Sequence, residues 1–217
     1  MSKNIGVITG DLFRSSVGYE RGFTYEKVMK TLEGEVIGNP RYNISKMEFF
    51  RGDSFQITLS DPVSILELST YIRAYLISLQ EGEDNIRFDA RLSVSVYPTN
   101  KFSSFNESVF EKAHIDSGRN LEKMKRNSML EFSSEYSARN AAVRATTVLL
   151  DTLISMLSRP QAEVLRRSLE SMAIDTNNLA AEMGTTRQNI HKLIARSGTE
   201  NIIESLLLVR DFMKVEF

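Results

Sequence analysis

Apolar and polar positions change period along this chain. Up to about residue 130, alternating runs interrupt helical ones, whereas from about residue 136 the pattern is helical throughout. Ile5 to Ile8 predict a short buried strand that runs into Thr9, Gly10 and Asp11. Helical spacing follows over about Tyr19 to Val36, until Gly38, Asn39 and Pro40 break it. Ile44 to Phe50 and Phe55 to Leu59 predict a hairpin through Arg51, Gly52, Asp53 and Ser54, with Phe55, Ile57 and Leu59 on one face. Asp61 and Pro62 suit a helix start, and Ile65, Leu68, Ile72, Tyr75, Leu76 and Leu79 recur behind them at helical spacing. Phe88, Ala90, Leu92, Val94 and Val96 alternate as a strand. A helix over about Glu107 to Lys125 and a short strand near Met129 to Phe132 complete the first half.

The order strand, helix, strand, strand, helix, strand predicts an α+β fold: a ferredoxin-like antiparallel sheet with helices on one face. In that topology the first two strands run parallel with the third between them, so the end of the first strand and the hairpin tip share one sheet edge. Asp11 and Asp53 are then neighbours.

The second half opens with an amphipathic helix over about Tyr136 to Leu157, whose stripe is Val143, Leu149, Leu150, Leu153, Ile154 and Leu157. Ser158 and Gln161 form a capping box around Pro160, and Ala162, Leu165 and Leu169 mark a buried face. Asn177 to Met183, a turn at Gly184 and a helix from Arg187 to Ala195 then have helix-turn-helix spacing. Ala180 permits close approach, and Leu179, Met183, Ile190 and Leu193 fill the wedge between the helices. Ser197 and Glu200 cap a last helix carrying Ile202, Ile203, Leu206, Val209, Phe212 and Met213. The expected organisation is therefore a domain over 1–135, a linker helix over 136–157 and an all-α helix-turn-helix domain over 158–217.

The chain has 217 residues, 41% apolar and 25% charged, which suits an ordinary globular protein and excludes a disordered or fibrous one. Its 27 basic and 28 acidic side chains leave a net charge of −1, so any attraction to nucleic acid must be local. With no Cys and only His114 and His191, thiolate and histidine metal cages are excluded and carboxylates remain as candidate ligands. The start of the chain has no apolar signal core and no run reaches membrane-spanning length, which predicts a cytoplasmic protein without a membrane partner.

Paired carboxylates without Cys or His suit Mg²⁺, which takes one or two of them with water and substrate phosphates. Asp11 and Asp53 are the candidate metal ligands. Between strand and helix, Arg14, Ser15 and Ser16 are placed to receive the phosphates of a nucleotide, with Arg51 as a second cation. On the helix after the Gly184 turn, Arg187, Gln188, His191 and Lys192 form an outward strip. Arg pairs with guanine and Gln with adenine, while Thr186, Lys192 and Arg196 reach phosphates. Residues 187–196 carry three cations and no acid. The alternative for these helices is an αα-hairpin used for packing or dimerisation. Two half-sites would require a homodimer.

The blocks IGVITGDLFRSS (5–16), FRGDSFQI (50–57) and SGRNLEKM (117–124) resemble the SatD family of bacterial proteins, which pair such a domain with a C-terminal helix-turn-helix. The two Asp-bearing blocks more distantly resemble class III nucleotidyl cyclases and diguanylate cyclases. That resemblance implies a nucleotidyl-cyclase-like fold with Asp11 and Asp53 holding metal. It also implies a transition-state Asn and Arg four residues apart on a helix, but Asp116 and Asn120 stand there, leaving Arg119 one residue away as the candidate catalytic cation. Residues 157–195 are similar to the DNA-binding module of sigma-factor region four and related response regulators. The expected function is a DNA-binding regulator of transcription with a nucleotide- and Mg²⁺-binding sensor domain. The alternatives are an active nucleotidyl cyclase or nucleotidyltransferase that its helical tail targets or dimerises, and a first domain serving only as a dimerisation scaffold.

Overall fold

The computed structural model of the chain describes residues 3–13, 25–50, 53–79, 87–99, 106–135 and 140–216. In chain order these form β1 (Lys3–Leu12), α1 (Tyr25–Ile37), β2 (Ile44–Phe50), β3 (Ser54–Leu59), α2 (Ile65–Ser78), β4 (Ala90–Thr99), α3 (Asn106–Lys123) and β5 (Leu130–Ser134). The helices α4 (Asn140–Ser155), α5 (Arg159–Ser171), α6 (Thr176–Glu182), α7 (Arg187–Ser197) and α8 (Thr199–Glu216) follow. The fold is mixed α+β with one five-stranded sheet, ordered β2-β3-β1-β4-β5.

The pairings β2–β3, β3–β1 and β1–β4 are antiparallel. β1 and β2 therefore run parallel with β3 between them, as the ferredoxin-like order requires. Two features depart from that expectation. β5 joins β4 in parallel, so the sheet is not wholly antiparallel. The crossover that a parallel pair demands is α3, which lies on the opposite face from α2: Ser117 of α3 meets Thr9, whereas the neighbouring β1 position Gly10 packs into the core. Helices thus cover both faces.

β1 is also longer than the apolar run Ile5–Ile8 suggested, because it is hydrogen-bonded on both sides as far as Asp11. Gly10 is a close-packing residue rather than a turn residue: a Cβ there would lie 2.6 Å from both Leu92 and Phe55. Gly6 is confined likewise, 2.5 Å from Ile65.

α2 is the central helix, buried at every position from Ile65 to Ile77. A helix without a solvent face must partner its charged side chains internally, and it does so partly through the C-terminal half. Arg73 donates to both Asp89 oxygens (2.9 Å each), to Asp151 on α4 (2.7 Å) and to Ser155 (2.9 Å). Glu67 pairs with Arg41 (3.2 Å) and with Arg210 of α8 (2.7 Å). One apolar core accordingly runs from Ile8, Phe55 and Leu92 in the sheet through Leu68 and Ile72 to Leu150, Ile154, Leu165 and Leu206. The segment expected to link two units contributes Leu150, Ile154 and Leu157 to that core. Leu149 and Leu153, expected in the same stripe, are exposed.

A smaller cluster joins Val164 of α5 to Leu179 and Ala180 of α6 and Ile190 and Ile194 of α7. Met183 and Leu193 pack at its edge, so the anticipated wedge is present with Val164 added. The turn passes through Gly184 at φ +60°, a left-handed conformation that glycine adopts without strain. Gly198, at φ +65°, separates α7 from α8. α8 begins at Thr199; Ser197 is the last residue of α7, and its hydroxyl donates to the Ile194 carbonyl while its oxygen accepts the Thr199 amide at 3.3 Å, the capping contact expected of it.

Candidate nucleic-acid interface and the carboxylate edge

The carboxylate edge forms where β1, β3 and β4 lie side by side. Register sets Asp11 opposite Ser54 on β3 and Arg91 on β4. The Leu12 amide donates to the Asp53 carbonyl at 3.1 Å, so Asp11 and Asp53 are close in the backbone, as topology predicted. Arg91 completes the arrangement. Its guanidinium donates in fork fashion to both oxygens of Asp11, Nε to Oδ1 at 2.9 Å and Nη2 to Oδ2. Hydrogen bonding to Asp11, assisted by the charges of Asp11 and Asp53, holds Arg91 still more firmly in its charged form against the opposing effect of burial.

A divalent cation at Asp11 would therefore compete with a bidentate guanidinium, itself a strong and geometrically specific partner for a carboxylate. Among the described residues no group of three Asp, Glu or His side chains comes together as a ligand set. Both Asp11 oxygens are taken by Arg91, so Asp11 as arranged is not an open Mg²⁺ ligand. Arg14, Ser15, Ser16 and Arg51, the expected phosphate contacts, lie outside the described residues.

The face beneath α3 is polar. Gln56 donates to Thr9 (2.7 Å), Thr9 and Ser117 share a hydrogen bond of 2.6 Å, and Asn120 donates to Ser133 (3.0 Å). His114 meets the Thr58 hydroxyl at 2.9 Å. Asp116 accepts from the Tyr97 hydroxyl. Burial raises the Tyr97 pKa, and that bond raises it further. Asp116 and Asn120 thus serve the helix–sheet contact. Arg119 is exposed and lies about 200° round the helix from the inward Ser117, so it faces away from the carboxylate edge.

On α7 the geometry matches the sequence reading closely. Ile190 and Ile194 are buried, while Arg187, Gln188, His191, Lys192 and Arg196 are exposed. At about 100° per residue, Gln188 and Lys192 lie centrally on the outward face, with His191 and Arg196 flanking them. Thr186 is the N-cap; its oxygen accepts the Asn189 amide at 3.2 Å, leaving only its hydroxyl proton to offer a phosphate. Asn189, which the sequence reading did not single out, is exposed beside Gln188 and donates to Thr185 at 3.1 Å.

Arg166 and Arg167 of α5 behave differently. Arg166 is neutralised by Glu163 (3.0 Å) and Glu170 (2.7 Å), and Arg167 by Glu163 (2.6 Å) and Glu182. Arg187, Lys192 and Arg196 make no ion pair with any described residue, so the positive charge on this end of the molecule is concentrated on α7.

No protein-family model matches the chain, and no curated protein matches it. Among solved structures it is similar to the active GGEEF domain of a diguanylate cyclase from Vibrio cholerae. The identity is 15%, over 62% of this chain and 85% of that chain, with a TM-score of 0.48. Likeness at that level carries nothing about chemistry. No helix among the described residues is long and apolar enough to cross a membrane.

Proposed function

We propose that the chain is a DNA-binding regulatory protein in which α6 and α7 act as a helix-turn-helix and α7 enters the major groove. The observation that carries this reading is the set of exposed cations on α7 that pair with no described residue, interleaved with Gln188 and His191, while Arg166 and Arg167 of α5 are held in ion pairs. Arg187 and Gln188, near the N-terminus of α7, are placed for base edges, and Lys192 and Arg196 for phosphates. The SatD-like sequence blocks agree with a regulator of this architecture.

The sheet domain is the proposed sensor, with a nucleotide or another phosphate-bearing ligand as its effector and Arg91 as the fixed cation at Asp11. The arrangement favours binding over nucleotidyl transfer, since transfer would require a metal where Arg91 now holds Asp11.

Selection of the full chain against a random duplex library tests the reading, followed by titration of the enriched sequence across a salt series. Lys192→Ala and Arg196→Ala should each reduce the slope of log K against log salt by about 0.9, and Arg187→Ala should abolish preference for the selected sequence. Absence of any enriched sequence, or unchanged affinity and slope in all three variants, would refute DNA recognition by α7.

A further inference from the structure

α4 carries two apolar faces, and only one of them is used inside the chain. Val143, Leu150, Ile154 and the following Leu157 enter the core. On the other side Val148 (63% exposed), Leu149 (65%), Leu153 (39%) and Met156 (77%) meet solvent. With Ala145 and Thr152 between them, this outer face contains no charged residue. Together the four large side chains expose roughly 400 Å² of apolar surface, the size at which a contiguous patch on a monomer is commonly functional and about half of what each partner buries in a standard interface.

The spacing suits a second helix as its cover. Ala145, Leu149, Thr152 and Met156 recur at intervals of four, three and four, the seam of a helix that packs on another helix. Laid antiparallel on its own copy about a two-fold axis, this seam sets Met156 against Ala145 and Leu149 against Thr152. A large residue meets a small one at every level, as interdigitating helices require. A two-fold interface must be self-complementary in this way.

We propose that α4 is the homodimer interface, pairing antiparallel with α4 of a second copy through Ala145, Leu149, Thr152 and Met156, with Val148 and Leu153 at its margins. The pairing does not rest on DNA binding, and its test contains no DNA, so either reading can fail without the other.

Sedimentation of the full chain should give twice the monomer mass. Leu149→Glu and Met156→Glu, both at exposed positions, should halve it without changing the circular dichroism. Orientation is read separately, because a chain with no Cys accepts single engineered thiols cleanly. Ala145→Cys mixed with Met156→Cys should form a disulfide between unlike chains on mild oxidation. Neither variant alone should crosslink, since 11 residues of helix separate the positions by about 16 Å and a disulfide spans Cα atoms about 4–7 Å apart. A monomeric wild type, a dimer that survives Leu149→Glu, or self-crosslinking of Ala145→Cys alone would each overturn the proposal.

Discussion

Asp151→Ala removes one carboxylate from the buried cluster that fastens α4 to the rest of the molecule. Arg73 is fully buried, and burial alone would lower its pKa; Asp89 and Asp151 more than reverse that and hold it charged. Asp151 takes the Arg73 Nη1 hydrogen bond at 2.7 Å and the Met129 amide at 3.0 Å, so alanine strands two donors where little water reaches. Each buried unsatisfied group costs about 1–3 kcal/mol, and breaking one arm of a buried ion pair about 3–5 kcal/mol; the second range is the better guide because it includes the first. For a chain of this size each kcal/mol lowers the melting temperature by about 2–4 °C, so a fall of roughly 6–20 °C is expected. Asp151→Asn keeps an acceptor oxygen, and the expected loss shrinks to about 1–2 kcal/mol. Urea unfolding followed by circular dichroism measures both, with an unchanged m-value if the chain still unfolds as one unit. A loss below about 1 kcal/mol for Asp151→Ala would put the cluster on the level of a surface ion pair and refute the reasoning.

Glu163 provides a pH signature. Burial pushes its pKa up, but hydrogen bonds and charge from Arg166 and Arg167 outweigh burial and bring it below 4.5. A carboxyl with a depressed native pKa stabilises the fold above its unfolded value and loses that contribution as pH falls through the native value. Glu163→Gln should therefore be less stable than wild type at neutral pH and converge with it in acid, as read from urea midpoints across a pH series; a constant difference at every pH would contradict the assignment. At the sheet edge, wild type should show no Mg²⁺-dependent thermal shift with any nucleoside triphosphate, although a ligand at 100 times its dissociation constant would add about 2.7 kcal/mol. A Mg²⁺-dependent shift that Asp53→Asn abolishes would instead establish a metal site.

How much of this was legible in the sequence depends on whether a residue's role is local. The Ser158–Gln161 capping contact, the Gly184 turn and the exposed strip on α7 follow from neighbours a few positions away, and all are present. The proximity of Asp11 and Asp53 was legible because strand order alone fixes it. Arg91 was not, because its meeting with Asp11 depends on the β1–β4 register, which no turn specifies. The close packing at Gly10 was not legible because the side chains that forbid a Cβ there, Leu92 and Phe55, lie far along the chain. The split of α4 into a core face and a solvent face was hidden because the helix is apolar nearly all round, and periodicity cannot rank two apolar faces. One signal was available and unused: an Arg amid ILELSTYIRAYLIS can be tolerated in so apolar a helix only with buried acidic partners.

The same long-range contacts decide how α7 is presented. Glu67 on α2 holds Arg41 beside the sheet and Arg210 on α8, and Arg41 also donates to the Leu169 carbonyl near the end of α5 at 3.3 Å. α5 and α8 are the helices that flank the α6–α7 pair in sequence, and α5 shares Val164 with its cluster. The orientation of α7 relative to the sheet is therefore set by a packed core and a three-way ion pair rather than by a free tether. Its angle to the outer face of α4 is fixed in the same way, because α4 is held in that core through Leu150, Ile154 and Asp151. In a dimer joined along α4, the distance between the two copies of α7 becomes a property of the fold, and recognition helices on B-form DNA must lie about 34–36 Å apart, or a multiple of that, to read successive turns of one groove. Under the proposed function, an effector at the Asp11–Arg91 edge would alter DNA binding only by favouring a second arrangement of these same contacts. Glu67→Gln, which weakens both arginine pairs at once, should then change the half-site spacing selected from the duplex library while leaving the bases within each half-site unchanged. Selection of the original spacing by this variant would show that Glu67 does not set the presentation of α7.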